Sequence, residues 1–507
     1  MRRDPPPAWP ALPVPGSRAL TGGLWLPGET TRVVVEASRR RALLAEARRI
    51  ADELGRLTGL PAAVLDDAEG PPRPGDIVLR MRGETSAARE GFVITTGRTV
   101  EVIGGSATAV FRATRQLLQV LRVTGGVPRG RVASVPQVAE RALNLDIARK
   151  RYTAGWIGDR IREMADVGLT ALQLHFSENE GVGVLSEDLP SVASPGALSP
   201  GEVERLLALA GDLHVEVIPS LDMPGHLGHV LRSFPDLRLR DARGAPVRGA
   251  LNLADSRAWD LAERLMDAYL PLFPGASRWA LGCDEFVDFD DVARYPALWR
   301  AAEERWGLGA TPFDLLTAFA NAMGERLRAR GIIPRVWNDG MFRSRRVRPD
   351  ARTETMWWSN WSERMVPLAR AWEDMGAVVN ADDRHLYYVL GENAGYAHPT
   401  AERLWADGWH PGLFTPARGG PQEIPRTYPA RLRGAMLSVW GDRPDAEDER
   451  EVAERLGPLM RAFAERSWNG GSQVGVEEFL AISAQLAGPP TGCDEDGAAA
   501  GKKSAPA

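Results

Sequence analysis

Asp284 and Glu285 stand side by side in the segment ALGCDEF (280–286), at the end of a run that reads as a short buried strand. Successive side chains on a strand point to opposite faces. Both carboxylates can therefore serve one ligand only if regular structure stops at about Cys283. Other reactive or ring-bearing residues sit at comparable places, each just past an apolar stretch. They are Asp146; His175 with Glu178; Asp222 with His226; Trp337 with Asp339; Trp357 and Trp358; Tyr387 and Tyr388; and Trp440 with Asp442. Strand ends are where polar residues begin in any protein, which accounts for one such position more readily than for eight together.

The composition narrows what these groups can do. Of 62 basic residues only Lys150, Lys502 and Lys503 are lysine, and the last two lie in a Gly/Ala-rich tail. A phosphate-binding P-loop and Schiff-base catalysis both need a lysine in folded sequence, and Lys150 is the single candidate. Cys283 and Cys493 are too few and too far apart for a disulfide framework or a zinc site. A net charge of −5 argues against a basic nucleic-acid-binding face. No apolar run is long enough for a membrane span. The N-terminus, MRRDPPPAWPALPVPG, is broken by prolines and lacks the apolar core of a signal peptide. The expectation is a cytoplasmic chain, with secretion left open, and no cofactor.

Carboxylates without a lysine, a cysteine nucleophile or a metal cluster suggest hydrolysis of a glycosidic bond by general acid catalysis. A metal-dependent barrel hydrolase is the rival, because His226 and His229 are close in sequence. Its first strand would be expected to carry a His-x-His pair, and that strand reads NLDIA. In the common retaining scheme two carboxylates flank the anomeric carbon about 5–5.5 Å apart. Adjacent ones fit better with one acting as acid/base while the other grips a substrate group. That is the substrate-assisted route, in which a 2-acetamido oxygen attacks. Of 16 tryptophans, 14 follow residue 139; packing in a large domain and the stacking faces of a sugar-binding cleft both account for that skew, and composition does not choose between them.

Two groups of elements must position these residues. Residues 32–36, 77–81, 91–95 and 99–103 read as strands and 40–58 and 107–122 as helices, which makes a small α+β domain over 25–138 after an N-terminal arm (1–24). From 139 to 475 strands and helices alternate. Strands are expected at 140–148, 170–177, 215–222, 278–284, 333–338, 353–359, 377–388 and 434–441. Helix starts are marked at Ser199-Pro200-Gly201-Glu202 and at Thr311-Pro312-Phe313-Asp314. Eight strands with intervening helices predict an α/β fold, a (β/α)8 TIM barrel, whose active site lies at the C-terminal strand ends. A doubly wound sheet is the competitor, but no Gly-rich dinucleotide turn follows the first strand. Residues 411–433 read as a long loop and 488–507 as a disordered tail.

At these residues the chain resembles glycoside hydrolase family 20, the β-N-acetylhexosaminidases. The likeness runs over roughly 25–475 and rests on RALNLDIARKRY, LQLHFSENEG, VIPSLDMPGH, ALGCDEF, VWNDG, LYYVLG and SVWGD in that order. HFSENEG and the last two segments are similar to the lacto-N-biosidase-like branch. The resemblance implies that Glu285 protonates the glycosidic oxygen among apolar walls and later activates water. It implies that Asp284 holds the acetamido N–H, that Tyr387 or Tyr388 bonds its carbonyl, and that His226 supports Glu285 with Asp222 beside it. It also implies that Arg141 and Asp442 bind sugar hydroxyls, with His175 and Glu178 on the substrate side, and that Trp337, Trp358 and Trp440 wall the pocket. The partner is an N-acetylhexosamine-containing oligosaccharide.

Three departures stand out. Ser177-Glu178-Asn179-Glu180-Gly181-Val182 replaces the family's usual Thr-Asp-Asp-Gln-Gly-Trp, so the relay to His226 is expected to differ and an aromatic is lost. Cys283 replaces a small residue. Val389 or Leu390 stands where many members carry an aspartate. Release of a disaccharide, as by a lacto-N-biosidase, and a catalytically silent sugar-binding protein are the alternatives to an exo-acting hexosaminidase.

Overall fold

The computed structural model describes residues 9–82, 90–391 and 395–487. They fall into two compact units.

The first unit comprises the chain up to residue 137 together with 159–169 and 455 onward. Its mixed seven-stranded sheet runs in the order Ser17–Trp25, Val127–Ser134, Phe92–Thr96, Val100–Gly104, Ile77–Met81, Arg32–Val35 and Ala63–Asp66. Helices Arg40–Thr58 and Ala107–Thr124 bury Leu43, Ile50, Leu54, Val110 and Leu117 in the same apolar core. The Ser106 hydroxyl caps the second helix by accepting the Ala109 N–H at 3.1 Å.

Two expectations about boundaries change. Residues 17–25 are not an arm but a strand paired antiparallel with 127–134. Its exposed, Gly-interrupted composition hides the period-2 signal, and only the partner strand supplies the order. The chain before it is also held, with Trp9 and Leu12 buried and the Leu12 N–H donated to Gln119. At the other end the helix Val476–Gln485 follows residue 475, and the tail expected at 488–507 lies outside the described residues.

The second unit, residues 138–158 and 170–454, is a closed eight-stranded parallel barrel with helices. Its strands are Glu140–Asp146, Ala171–His175, Glu216–Met223, Arg278–Gly282, Ile333–Trp337, Glu354–Trp357, Val378–Asn380 and Leu432–Trp440. The last closes the ring by pairing with the seventh and the first. The N-terminal end of the lumen is filled by charge. Arg335 bonds Glu140 at 2.8 Å and Glu354 at 2.7 Å, and Arg278 bonds Glu354 at 3.2 Å. Above them Ala142, Ile218, Ala280, Trp337, Met356 and Met436 form an apolar layer.

The seventh strand is shorter than the expected 377–388. It ends at Asn380, a one-turn helix Asp383–Leu386 intervenes, and Tyr387–Val389 then pairs with Ser438–Trp440 on the upper half of the last strand. Asp382 causes the break: its carboxylate accepts the Arg384 N–H at 3.0 Å and caps the turn. Residues 411–433 are not a bare loop but contain a hairpin, Leu413–Ala417 with Gly420–Glu423. Among the described residues no helix is long and apolar enough to cross a membrane.

Candidate active site

The fourth barrel strand ends at Gly282, and the chain then turns through positive φ at Gly282 (74°), Cys283 (70°) and Glu285 (40°). This is the end of regular structure that the adjacent carboxylates require. A Cβ on Gly282 would collide with the Asp222 carboxylate, so glycine is needed there for space as well as for φ. The result separates two neighbours by environment. Asp284 is largely buried, whereas the Glu285 side chain is 53% exposed, so the apolar walls expected around Glu285 are only partial. The Glu285 N–H is donated to Asp339 at 2.9 Å, which ties the fifth strand end to the fourth.

His226, also at positive φ (51°), lies between the carboxylates. Its Nδ1 is 2.7 Å from Glu178, and its Nε2 stands 3.5 Å from Asp284 and 3.6 Å from Glu285. Glu178 in turn bonds His175 at 3.1 Å and Arg149 at 2.7 Å. Asp146 holds Arg149 at 2.9 Å and accepts the Gly441 N–H at 3.0 Å. Burial alone would push Glu178 up, but Arg149, His226 and His175 outweigh it and hold it well below the usual carboxylate range. Burial likewise opposes a charge on His226. Glu178, Asp284 and Asp222 overcome it and hold the imidazole well above its usual value. Asp284 is pushed well up by burial and by Asp222, and Asp222 is raised by burial. Two such carboxylates share a proton more readily than they both ionise.

The pocket is lined by Arg149, Glu178, His226, Asp284, Glu285, Trp358, Trp361, Tyr387, Val389, Tyr396, Trp440 and Asp442 and encloses about 250 Å³. Tyr387 stacks on Trp358 with centroids 5.9 Å apart, and Trp440 meets Tyr387 at a steep angle. Of the expected residues, eight thus face one cavity.

The other five stand elsewhere. Tyr388, one position on and so on the opposite face of its strand, gives its hydroxyl to Glu447. Arg141 is fully buried and donates to Val138 O at 2.6 Å. Its neighbours Glu140 and Ala142 occupy the lumen, so alternation turns Arg141 outward. His175 is behind Glu178 and bonds Ser220 at 3.0 Å. Asp222 backs Asp284, and Trp337 is buried beside Trp358 and Trp440 as floor.

Four lining residues were not foreseen as site residues: Arg149, Trp361, Tyr396 and, as a wall, Val389. Arg149 had a signal, since an arginine three residues past a strand-end aspartate can be held by it. Tyr396 had none, because nothing local distinguishes it.

Asp222, His226 and Asp284 bring potential ligand atoms within 4.8 Å of one another, the one such group among the described residues. His229 is not part of it. A protonated His226 has no lone pair to offer a cation, which makes the set a poor metal site. Treatment with EDTA is accordingly expected to leave turnover unchanged, and activity lost to the chelator and restored by zinc would overturn this.

Asp339 is pushed up to about 7, mainly by burial, against the bond it accepts from Glu285 N–H. Its folded value lies above the unfolded one of about 4. Its contribution to stability is therefore whole below about pH 4 and is lost as pH rises through about 7. Melting temperatures should fall over that range, and Asp339→Asn should flatten the fall; an equally steep fall in the variant would refute this source.

Residues 139–471 match the family described as glycosyl hydrolase family 20, catalytic domain, and residues 11–136 match domain 2 of the same family. The chain is 28% identical over 453 residues to a lacto-N-biosidase of Bifidobacterium bifidum, covering 88% of this chain and 38% of that protein. It therefore spans little more than a third of that relative's length. It is 26% identical over 480 residues to a beta-hexosaminidase of Akkermansia muciniphila, covering 89% and 90%. In fold it is similar to the beta-N-acetylhexosaminidase of Bacteroides fragilis, with a TM-score of 0.74 at 21% identity over 94% and 95% of the two chains.

Proposed function

The chain belongs to glycosyl hydrolase family 20, and from that premise and the pocket we propose that it is a retaining glycoside hydrolase that removes terminal β-linked N-acetylhexosamine with the help of the substrate's own 2-acetamido group. The observation that carries this reading is the unequal placement of Asp284 and Glu285. Glu285 projects into the pocket with half its side chain exposed, free to give a proton to the glycosidic oxygen. Asp284 is buried between Asp222 and His226 with an oxygen that has no hydrogen-bond partner among the described residues. An acetamido N–H is a donor of the kind that oxygen lacks. Tyr387, whose hydroxyl burial keeps protonated, is the donor for the acetamido carbonyl. As that oxygen attacks the anomeric carbon, the carbon–oxygen bond to the leaving group breaks and Glu285 supplies the proton. Glu285 then takes a proton from the water that opens the cyclic intermediate. Trp358 and Trp440 form the walls, and Arg149 and Asp442 are placed for hydroxyls.

Hydrolysis of an aryl β-N-acetylglucosaminide by the purified protein, blocked by a thiazoline that copies the cyclic intermediate, is the expected result. No turnover together with no thiazoline binding would sink the proposal.

One observation favours a second reading, release of a disaccharide. Val389 forms pocket wall and offers no hydrogen bond to a sugar hydroxyl, which relaxes the demand for a chain-terminal sugar. Comparing aryl mono- and disaccharides decides between the two.

A further inference from the structure

The Glu285 carboxylate makes no hydrogen bond among the described residues, and its nearest ionic neighbour, His226 Nε2, stands 3.6 Å away. Its direction is therefore set by the backbone beneath it. That backbone is not regular. At Glu285 φ is 40°, a left-handed conformation that a residue with a side chain keeps only when its surroundings hold it.

Asp339 supplies the hold. Its Oδ2 accepts the Glu285 N–H at 2.9 Å, and its Oδ1 accepts the indole N–H of Trp358 at 3.3 Å. The residue before it grips the same neighbour. Asn338 Oδ1 accepts the Trp358 backbone N–H at 2.9 Å, and Asn338 Nδ2 donates to Ser359 O at 2.8 Å. The segment after the fifth strand is thus a brace between the ends of the fourth and the sixth. Trp358 and Glu285 both line the pocket, so one carboxyl fixes where the acid stands relative to the wall that receives the sugar.

We propose that Asp339 is the positioning residue of the acid, holding Glu285 by its N–H where the Glu285 carboxyl meets the oxygen of the bond being cut. The proposal rests on the reading of the site given above.

Two observations mark this carboxyl as more than a tie for the fold. Both of its oxygens are used, by donors from two different strand ends; an amide of the same size would accept one and turn its NH2 on the other. Its place is also an unfavourable one for a carboxylate. Asp339 is 1% exposed, and one cation, Arg343, stands against Asp284, Glu285, Asp288 and Asp290 around it, with the Cys283 thiol also near. Burial pushes it up to about 7, so its contribution to stability falls as pH approaches neutrality. Residues that work against the fold in this way gather at functional sites.

The test compares wild type with Asp339→Asn and Asp339→Ala on phenyl and 2,4-dinitrophenyl β-N-acetylglucosaminide. Phenolate leaves poorly without a proton, whereas dinitrophenolate needs little help. For Asp339→Asn, kcat on the phenyl substrate should fall about tenfold at unchanged KM, with the dinitrophenyl substrate nearly unaffected. Asp339→Ala, which keeps no acceptor, should widen the gap. Thiazoline affinity should hold, because that inhibitor carries no leaving group. Equal losses on both substrates, or none, would overturn the proposal. So would a fall in thiazoline affinity as large as the fall in rate, which would place the effect at Trp358. A pH profile displaced with no loss at its optimum would overturn it too, since Asp339 would then act by charge and not by position. Should Asp339→Ala fail to fold, Asp339→Asn decides alone. If wild type turns over neither substrate and binds no thiazoline, the reading of the whole site falls and this one with it; if wild type is active and the two losses do not differ, only the role of Asp339 falls.

Discussion

Glu285→Gln is expected to lower kcat/KM on an aryl N-acetylhexosaminide by about 10²–10⁴-fold while leaving the melting temperature unchanged. The rate effect is that of removing a positioned proton donor. The stability expectation follows from exposure: half of the side chain is in solvent, and its nearest ionic neighbour, His226 Nε2, is 3.6 Å away. Glutamine keeps the backbone N–H that Asp339 accepts. The loss should shrink when the leaving group is a dinitrophenolate, which departs with little help from an acid. Equal losses on good and poor leaving groups would show that Glu285 positions substrate rather than protonating it.

Asp284→Asn should cost about 10²–10³ in kcat, the size of one lost preorganised polar contact to the transition state, but with the opposite balance between function and stability. The carboxyl is raised by burial and by Asp222, so it is costly to keep ionised at pH 7. The amide removes that repulsion, while His226 retains Glu178 at 2.7 Å. The melting temperature should hold or rise as activity falls. Undiminished turnover would refute the role given to Asp284, and a clear drop in melting temperature would refute the account of its burial. Residual activity of the variant should depend on an N-acetyl substituent less strongly than that of wild type.

Much of the barrel was legible in the linear chain. Buried parallel strands read as apolar β-branched runs, and capping signals such as Ser199 with Glu202 recur in the structure as a capping box. The strand 17–25 was not legible, because an exposed edge strand containing Gly22 and Gly23 carries no period-2 pattern and is ordered by its partner. The seventh strand was read as too long because Leu386, Tyr387 and Tyr388 resume an apolar, strand-like pattern beyond the polar residues 382–385, where Asp382 turns the chain.

Within the site, residues whose chemistry is set by local sequence were found by position. Asp284, Glu285, His226, Trp358, Trp440 and Asp442 each sit at a strand end or just beyond it, and the barrel gathers strand ends. The choice of Tyr387 over Tyr388 could not be made that way, since neighbours differ only in the face they present. That face is set by pairing with Ser438–Trp440, some fifty residues on.

The order and type of the reactive residues, and the barrel that must collect them, were properties of the chain alone, because hydrophobic period and strand-end chemistry are local. Folding decided what depends on contacts distant in sequence. It turned Arg141 out of the lumen and Arg149 into the pocket, made Glu178 the bridge from Arg149 to His226, and buried Asp284 while leaving Glu285 and Trp361 in solvent. The electrostatics that place two adjacent carboxylates in different environments come from that burial and from Asp222, 62 residues before Asp284, which no reading of spacing can supply.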